Sequence, residues 1–167
     1  ARPLDAFLAG LGDLARVPGC AVFLTSASDG TPPVLLHHVE HNRALHRNVA
    51  LLTLTTVARP RVTSDERLTV TVLASGFVRV VARVGFMESP DVPALLREAA
   101  SRHDLPFDVE RATYYIGRET FLATSKGRLG AWTEAIFAFL SRNARSATAY
   151  FGIPPERVVE LGMQIDL

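Results

Sequence analysis

Apolar residues recur at two different periods along this chain, and the switches between periods predict its elements. Leu4, Phe7, Leu8 and Leu11 share one helical face, so Pro3 to Leu14 predicts a short amphipathic helix. Arg16-Val-Pro-Gly breaks it, with Pro18 and Gly19 as punctuation. Cys20 to Thr25 is an unbroken apolar run, the pattern of a strand covered on both faces. The following loop, Ser26 to Pro33, holds the turn pair Asp29-Gly30. Thr31 is placed to cap a helix that has Pro32 at its first position and runs to about His46. Asn48 to Thr56 reads as the next strand. A strand, helix and strand of these lengths form a βαβ crossover, which implies a parallel pair.

The second half changes period again. Leu68, Val70 and Val72 alternate with Thr69 and Thr71 across Arg67 to Leu73, and Phe77 to Val84 sets Val78, Val80, Ala82 and Val84 opposite Arg79 and Arg83. Ala74-Ser75-Gly76 joins the two runs as a hairpin loop, so this pair is antiparallel. Ser89-Pro90-Asp91 opens a helix through about Arg102. Thr113 to Gly117 and Thr120 to Thr124 read as short strands. Leu129 to Phe151 is the longest predicted helix, ended by Gly152 and Pro154. The tail from Arg157 to Leu167 alternates Val159, Leu161, Met163, Ile165 and Leu167 with Glu160, Gln164 and Asp166, the pattern of a strand at or near a sheet edge. The expected fold is α/β (or α+β): a mixed sheet with one βαβ parallel unit and an antiparallel hairpin, flanked by about four helices.

Composition narrows the function classes. An apolar fraction of 48% against 21% charged is that of a chain that folds, not of a disordered one. The net charge of +1 does not fit a polybasic nucleic-acid binder, so nucleic acid is not an expected partner. With Cys20 as the single cysteine, no intrachain disulfide or cysteine-rich zinc site can form, which fits a reducing, cytosolic setting. No run approaches the ~20 apolar residues that cross a bilayer, and Val49 to Ala58 is too short and threaded with Thr. No signal peptide pattern is visible. The chain opens on Ala1 rather than Met, which reads as a fragment or a processed product.

Candidate chemistry is sparse. His37 and His41 are spaced i,i+4 on one predicted helix face, a workable metal pair beside His38 and His46. The rest of a zinc site is missing, so the pair is rejected and a hydrogen-bonding role preferred. Cys20 opens an apolar strand with no basic neighbour, the setting of an inert thiol. There is no glycine-rich phosphate loop. Ser125-Lys126-Gly127-Arg128 precedes the long helix, and the Ser26–Pro33 loop follows a parallel strand, where α/β sheets tend to bind ligands. Arg118, in Gly117-Arg118-Glu119-Thr120, can take a carboxylate or phosphate, although an ordinary ion pair is the commoner role. On the long helix, Arg142, Asn143 and Arg145 stand among the small residues Ser141, Ala144, Ser146 and Ala147, which suits close packing against a second copy. No catalytic set stands out, and the chain is not read as an enzyme. No cofactor is expected.

Six strings, in order, resemble the C-terminal cytoplasmic domain of the KUP/HAK/KT potassium transporters. They are Arg16-Val-Pro-Gly-Cys-Ala-Val-Phe-Leu-Thr, Pro32-Pro-Val-Leu-Leu-His-His-Val-Glu-His-Asn-Arg-Ala-Leu-His, Gly85-Phe-Met-Glu-Ser-Pro-Asp-Val-Pro, Tyr115-Ile-Gly-Arg-Glu-Thr, Ser141-Arg-Asn-Ala and Pro154-Pro-Glu-Arg-Val-Val-Glu-Leu-Gly-Met-Gln-Ile. Where the family has a small residue such as Thr this chain has Cys20, and where it has Asn this chain has His38. Both departures weaken a catalytic or metal role for those positions.

The resemblance implies a membrane-embedded part N-terminal to Ala1 that moves potassium inward with protons, with this chain on the cytoplasmic side of the inner membrane. Residues 1–15 would be a helix following that part, and 16–167 a single cytoplasmic domain. The expected role is a regulatory or assembly domain whose partners are its own transmembrane domain and a second copy. The alternative is a domain that senses a nucleotide, cyclic di-AMP or ATP, through Arg118, Arg142 and Asn143. A small metal-dependent enzyme at His37 and His41 ranks last.

Overall fold

A computed structural model describes residues 2–26, 29–117 and 147–162. Its centre is a six-stranded sheet. The strands are β1 (Ala15–Thr25), β2 (Ala44–Val57), β3 (Leu68–Val72), β4 (Phe77–Gly85), β5 (Thr113–Gly117) and β6 (Val158–Leu161), in the spatial order β3-β4-β2-β1-β5-β6. Of these pairs only β3 with β4 is antiparallel; β1 with β2, β1 with β5, β2 with β4 and β5 with β6 are all parallel. The mixed sheet, the βαβ unit and the hairpin stand as read from sequence. Parallel pairing extends well beyond one unit, because β4 rather than β3 joins β2 and the chain then crosses back to β5.

The helices are α1 (Leu4–Ala9), α2 (Pro33–Asn42), α3 (Ser64–Arg67), α4 (Val92–Arg102) and α5 (Ala147–Tyr150). Strand alternation sends successive side chains to opposite faces, and each face meets its own helices. Val22, Leu24, Ala50, Leu52, Val78, Val80, Ala82, Tyr114 and Ile116 pack with Val92, Leu95, Leu96 and Ala99 of α4. On the other face Ala21, Phe23, Val49, Leu51, Phe77 and Tyr115 pack with Leu4, Phe7 and Leu8 of α1 and Val34 and Leu35 of α2. The result is three layers, helix over sheet over helix. The Asp91 carboxylate caps α4 by accepting from Ala94 N–H at 3.0 Å. Gly152, at φ +64, stops the chain after α5.

Several boundaries differ from the sequence reading. The second helix does not reach His46: it ends at Asn42, because Arg43 sits in the left-handed region at φ 50, and His46 lies on β2. Thr31 does not cap it; Pro32 occupies the cap position and makes no side-chain cap bond. The first helix stops at Ala9 rather than Leu14. Arg16-Val-Pro-Gly does not break the chain but belongs to β1, whose register on β2 shifts between Val17 and Cys20. Pro18 is tolerated there because β5 pairs with β1 only from Ala21, so the start of β1 is locally an edge. Val72, on the same strand face as Leu68 and Val70, is 68% exposed at the end of its strand. The predicted strand Thr120–Thr124, the helix over residues 129–146 and the last residues of the tail lie outside the described residues.

Candidate functional site

The strand order reverses between β1 and β5, since the chain leaves β1 towards β2 and β4 and later returns to the far side as β5. In such sheets the crevice beyond the carboxyl ends at this switch point is the usual ligand position. Thr25 closes β1 and is paired with Thr53 on β2; both are buried. Arg79 on β4 reaches across β2, and its Nη2–H donates to Gly30 O in the β1–α2 loop at 2.8 Å. The neighbouring Thr31 N–H donates to Arg2 O at 3.1 Å, so the start of the chain is tied to the same loop. The Thr31 hydroxyl is buried without a hydrogen-bond partner among the described residues. Hydroxyls and a guanidinium can recognise an anion or a peptide group. They supply no nucleophile paired with a base.

Gly117, the last residue of β5, lies at the switch point. Arg118, Arg142 and Asn143 themselves lie outside the described residues, as do the small residues of the predicted long helix up to Ser146.

The histidines are placed individually. His37 and His41 do meet on one face of α2, their rings tilted at 54° with centroids 4.4 Å apart. Among the described residues no three His, Cys, Asp or Glu side chains converge as a metal site. His38 is buried against Tyr115 and Phe23, with centroids 4.6 and 5.4 Å away. Burial holds its ring below the usual imidazole range, against a hydrogen bond to the Ala44 backbone that acts the other way and a neighbouring His46 that adds to the drop. Its Nδ1 lies 2.9 Å from Asn42 Nδ2, so the network assigns Nδ1 as acceptor and the ring as neutral. His46, 6.3 Å from the Tyr115 ring, is likewise pushed down by burial, and its Nδ1 is buried without a partner among the described residues. Burial pushes the Cys20 thiol up and outweighs the Asp108 N–H that its sulfur accepts at 3.3 Å, so the group stays in the unreactive thiol form.

At the amino ends of the strands a second feature appears that the sequence reading missed. A cleft of about 570 Å³ opens between α1 and the β3–β4 hairpin, bordered by Leu8, Leu11, Leu14, Arg16, Arg47 and Gly76. Arg16 is committed to structure. Its guanidinium donates to His46 O, Arg47 O and Ser75 O, each near 3 Å, and so ties β1, β2 and the hairpin turn together. The turn passes so close to Arg47 O that a side chain at Gly76 would collide with backbone, and Gly76 also sits at φ +77. Glu88 plays a similar part elsewhere. Its carboxylate accepts from Gly85 N–H, Val62 N–H and Arg67, the last at 2.7 Å. Burial alone would raise its pKa, but these donors together lower it. Neither role is visible in local sequence, because the Arg16 acceptors and the Val62 and Arg67 donors to Glu88 are all distant along the chain.

Comparison with known proteins decides the family: residues 18–167 match the model described as the K+ potassium transporter C-terminal domain. The chain belongs to this family. The probable potassium transport system protein Kup of Myxococcus xanthus (strain DK1622) is 49% identical over 167 residues, covering 99% of this chain and 25% of that protein. Kup 1 of Chromobacterium violaceum is 49% identical over 169 residues, covering 99% and 26%. Kup 1 of Geobacter sulfurreducens is 46% identical over 170 residues, covering 100% and 27%. The chain thus spans about a quarter of the length of these Kup relatives. No solved structure matches. Among the described residues of this Kup-family domain, no helix is long and apolar enough to cross a membrane.

Proposed function

We propose that this chain is the cytoplasmic regulatory and assembly domain of a proton-coupled potassium-uptake transporter, with residues 1–15 as the helical connection and 16–167 as the domain proper. The family match over residues 18–167 is the observation that carries the reading. The Arg2–Thr31 hydrogen bond supports a route for regulation, because it joins the connecting segment to the loop at the switch point. A movement there reaches β1 and α2 without a long relay. The partners in this reading are the transmembrane part of the same protein and a second copy, and the domain itself catalyses nothing.

The test is potassium flux through the full-length transporter in proteoliposomes, with and without this domain. The expected result is that the truncated protein still transports, but with a changed rate or a changed dependence on potassium and pH. Identical flux curves would overturn the reading.

A second reading, sensing of cyclic di-AMP or ATP, draws on the strand order, which brings the end of β5 at Gly117, the residue before Arg118 in sequence, to the switch point. Arg118, Arg142 and Asn143 would then contact phosphates. Calorimetric titration with each nucleotide tests this reading, and an absence of heat with both would remove it.

A further inference from the structure

Among the described residues β3 is an outermost strand, and it carries none of the usual protections of a sheet edge. Leu68-Thr69-Val70-Thr71-Val72 has no charge and no proline, and its register on β4 runs without a bulge. The flanking Arg67 does not guard the edge either, since it is drawn to Glu88 and Val62 O. Thr69, Thr71 and Val72 are exposed.

The outward hydrogen-bonding groups can be assigned. Leu73 N–H donates to Phe77 O at 2.9 Å. Bonded and non-bonded pairs alternate along an antiparallel ladder. Thr71 opposite Arg79 and Thr69 opposite Val81 are therefore the next bonded pairs, and the amides and carbonyls of Leu68, Val70 and Val72 point away from β4.

We infer that β3 pairs with β3 of a second copy about a two-fold axis through Val70, joining the two sheets into one. The strand is nearly palindromic about that point. In this register Val70 meets Val70, Leu68 meets Val72, and every outward amide finds a carbonyl. Thr69 falls opposite Thr71 of the second copy, a favourable cross-strand pair. A two-fold contact requires one surface to be complementary to itself, and this strand meets that requirement without any change of shape. One strand per copy buries less than the roughly 1,000 Å² that stable interfaces clear. The association of the isolated chain is therefore weak and concentration-dependent. The inference deepens the assembly half of the reading above by naming its surface. Potassium flux tests regulation and the measurements below test this contact, so either can fail alone.

The experiment is sedimentation of the 167-residue chain from micromolar to millimolar concentration, beside two variants. In T69E/T71E like charges face each other across the axis. Within the fold the new carboxylate at position 69 lies beside Arg83 and that at position 71 opposite Arg79, so the domain keeps its shape. T69K/T71K places like charges across the axis in the opposite sense. The wild type is expected to dimerise, each variant alone to stay monomeric, and an equimolar mixture of the two variants to associate, because every introduced carboxylate then faces an introduced ammonium. Amide exchange provides a second readout that needs no variant. The Val70 and Val72 amides should gain protection as concentration rises, while those of Thr69 and Thr71 stay protected throughout. A wild type that remains monomeric, a glutamate variant that associates like wild type, or Val70 and Val72 amides indifferent to concentration would overturn the inference.

Discussion

Under α4 the sheet is covered by Val, Leu, Ile and Ala, whereas under α1 and α2 the same strands present Phe23, Tyr115 and His46, and α2 adds His38. Each face hides one polar atom without a partner among the described residues, Tyr114 Oη on the aliphatic side and His46 Nδ1 on the aromatic side. The two atoms differ in consequence. Burial pushes the Tyr114 hydroxyl up to about 12, so it stays neutral at any ordinary pH. Burial pushes the two histidines below the usual imidazole range, so one face ties its stability to acidity and the other does not.

The largest effect should come from emptying either face. Phe23 stacks on Tyr115 at 4.6 Å and 11°, and Phe23→Ala should cost about 4 kcal/mol in urea unfolding. Leu52→Ala, on the opposite face, should cost about 3 kcal/mol. The two should part company when the titration is repeated at several pH values. Only Phe23→Ala should change the pH dependence, because only Phe23 packs on His38.

Next in size is Glu88→Gln, which belongs to neither face. It weakens the acceptor of Val62, Gly85 and Arg67 and should cost about 2 kcal/mol by the same measurement. Glu88 also has a lowered pKa, so its own contribution is present above its ordinary value of 4.5 and lost as pH falls through the lowered one.

The histidine effect sits in a higher window. Burial makes folded His38 and His46 bind protons less readily than the unfolded chain does. The unfolded state therefore holds more protons just below the ordinary value of 6.5, and stability should decline as pH drops through that window. Above the ordinary value the contribution is complete. Melting temperatures followed downward from neutral pH should show the decline in wild type, and it should vanish in His38→Leu/His46→Leu. The smallest change is Tyr114→Phe, expected to stay within about 0.5 kcal/mol, because the hydroxyl it removes has no bond to lose among the described residues.

The same contrast explains what could be read from sequence. Alternation in Arg67–Leu73 and in Phe77–Val84 marks strands whatever lies above them, and both strands appear as expected. The pair His37 and His41 could be placed on one face by helical spacing alone. Features that depend on distant partners could not. Pro18 and Gly19 have the local chemistry of a breaker, yet Arg16 and a register shift hold them in β1. His46 continues a helical pattern in sequence and is claimed by β2 because Arg43 turns the chain first. The switch point exists only once strand order is known, so the Ser26–Pro33 loop that holds Gly30 could be singled out from sequence but its tie to Arg79 could not.

The Arg16 clamp also sets a chronology. Its acceptors lie 30, 31 and 59 residues further along the chain. The hairpin β3–β4 is the only local strand pairing among the described residues and loses the least loop-closure entropy, so it forms early. Arg16 has all its carbonyls in reach only after β1 and β2 have aligned and the hairpin has docked beside them. It is a rivet set last, so its loss should accelerate unfolding while leaving the folding rate nearly unchanged.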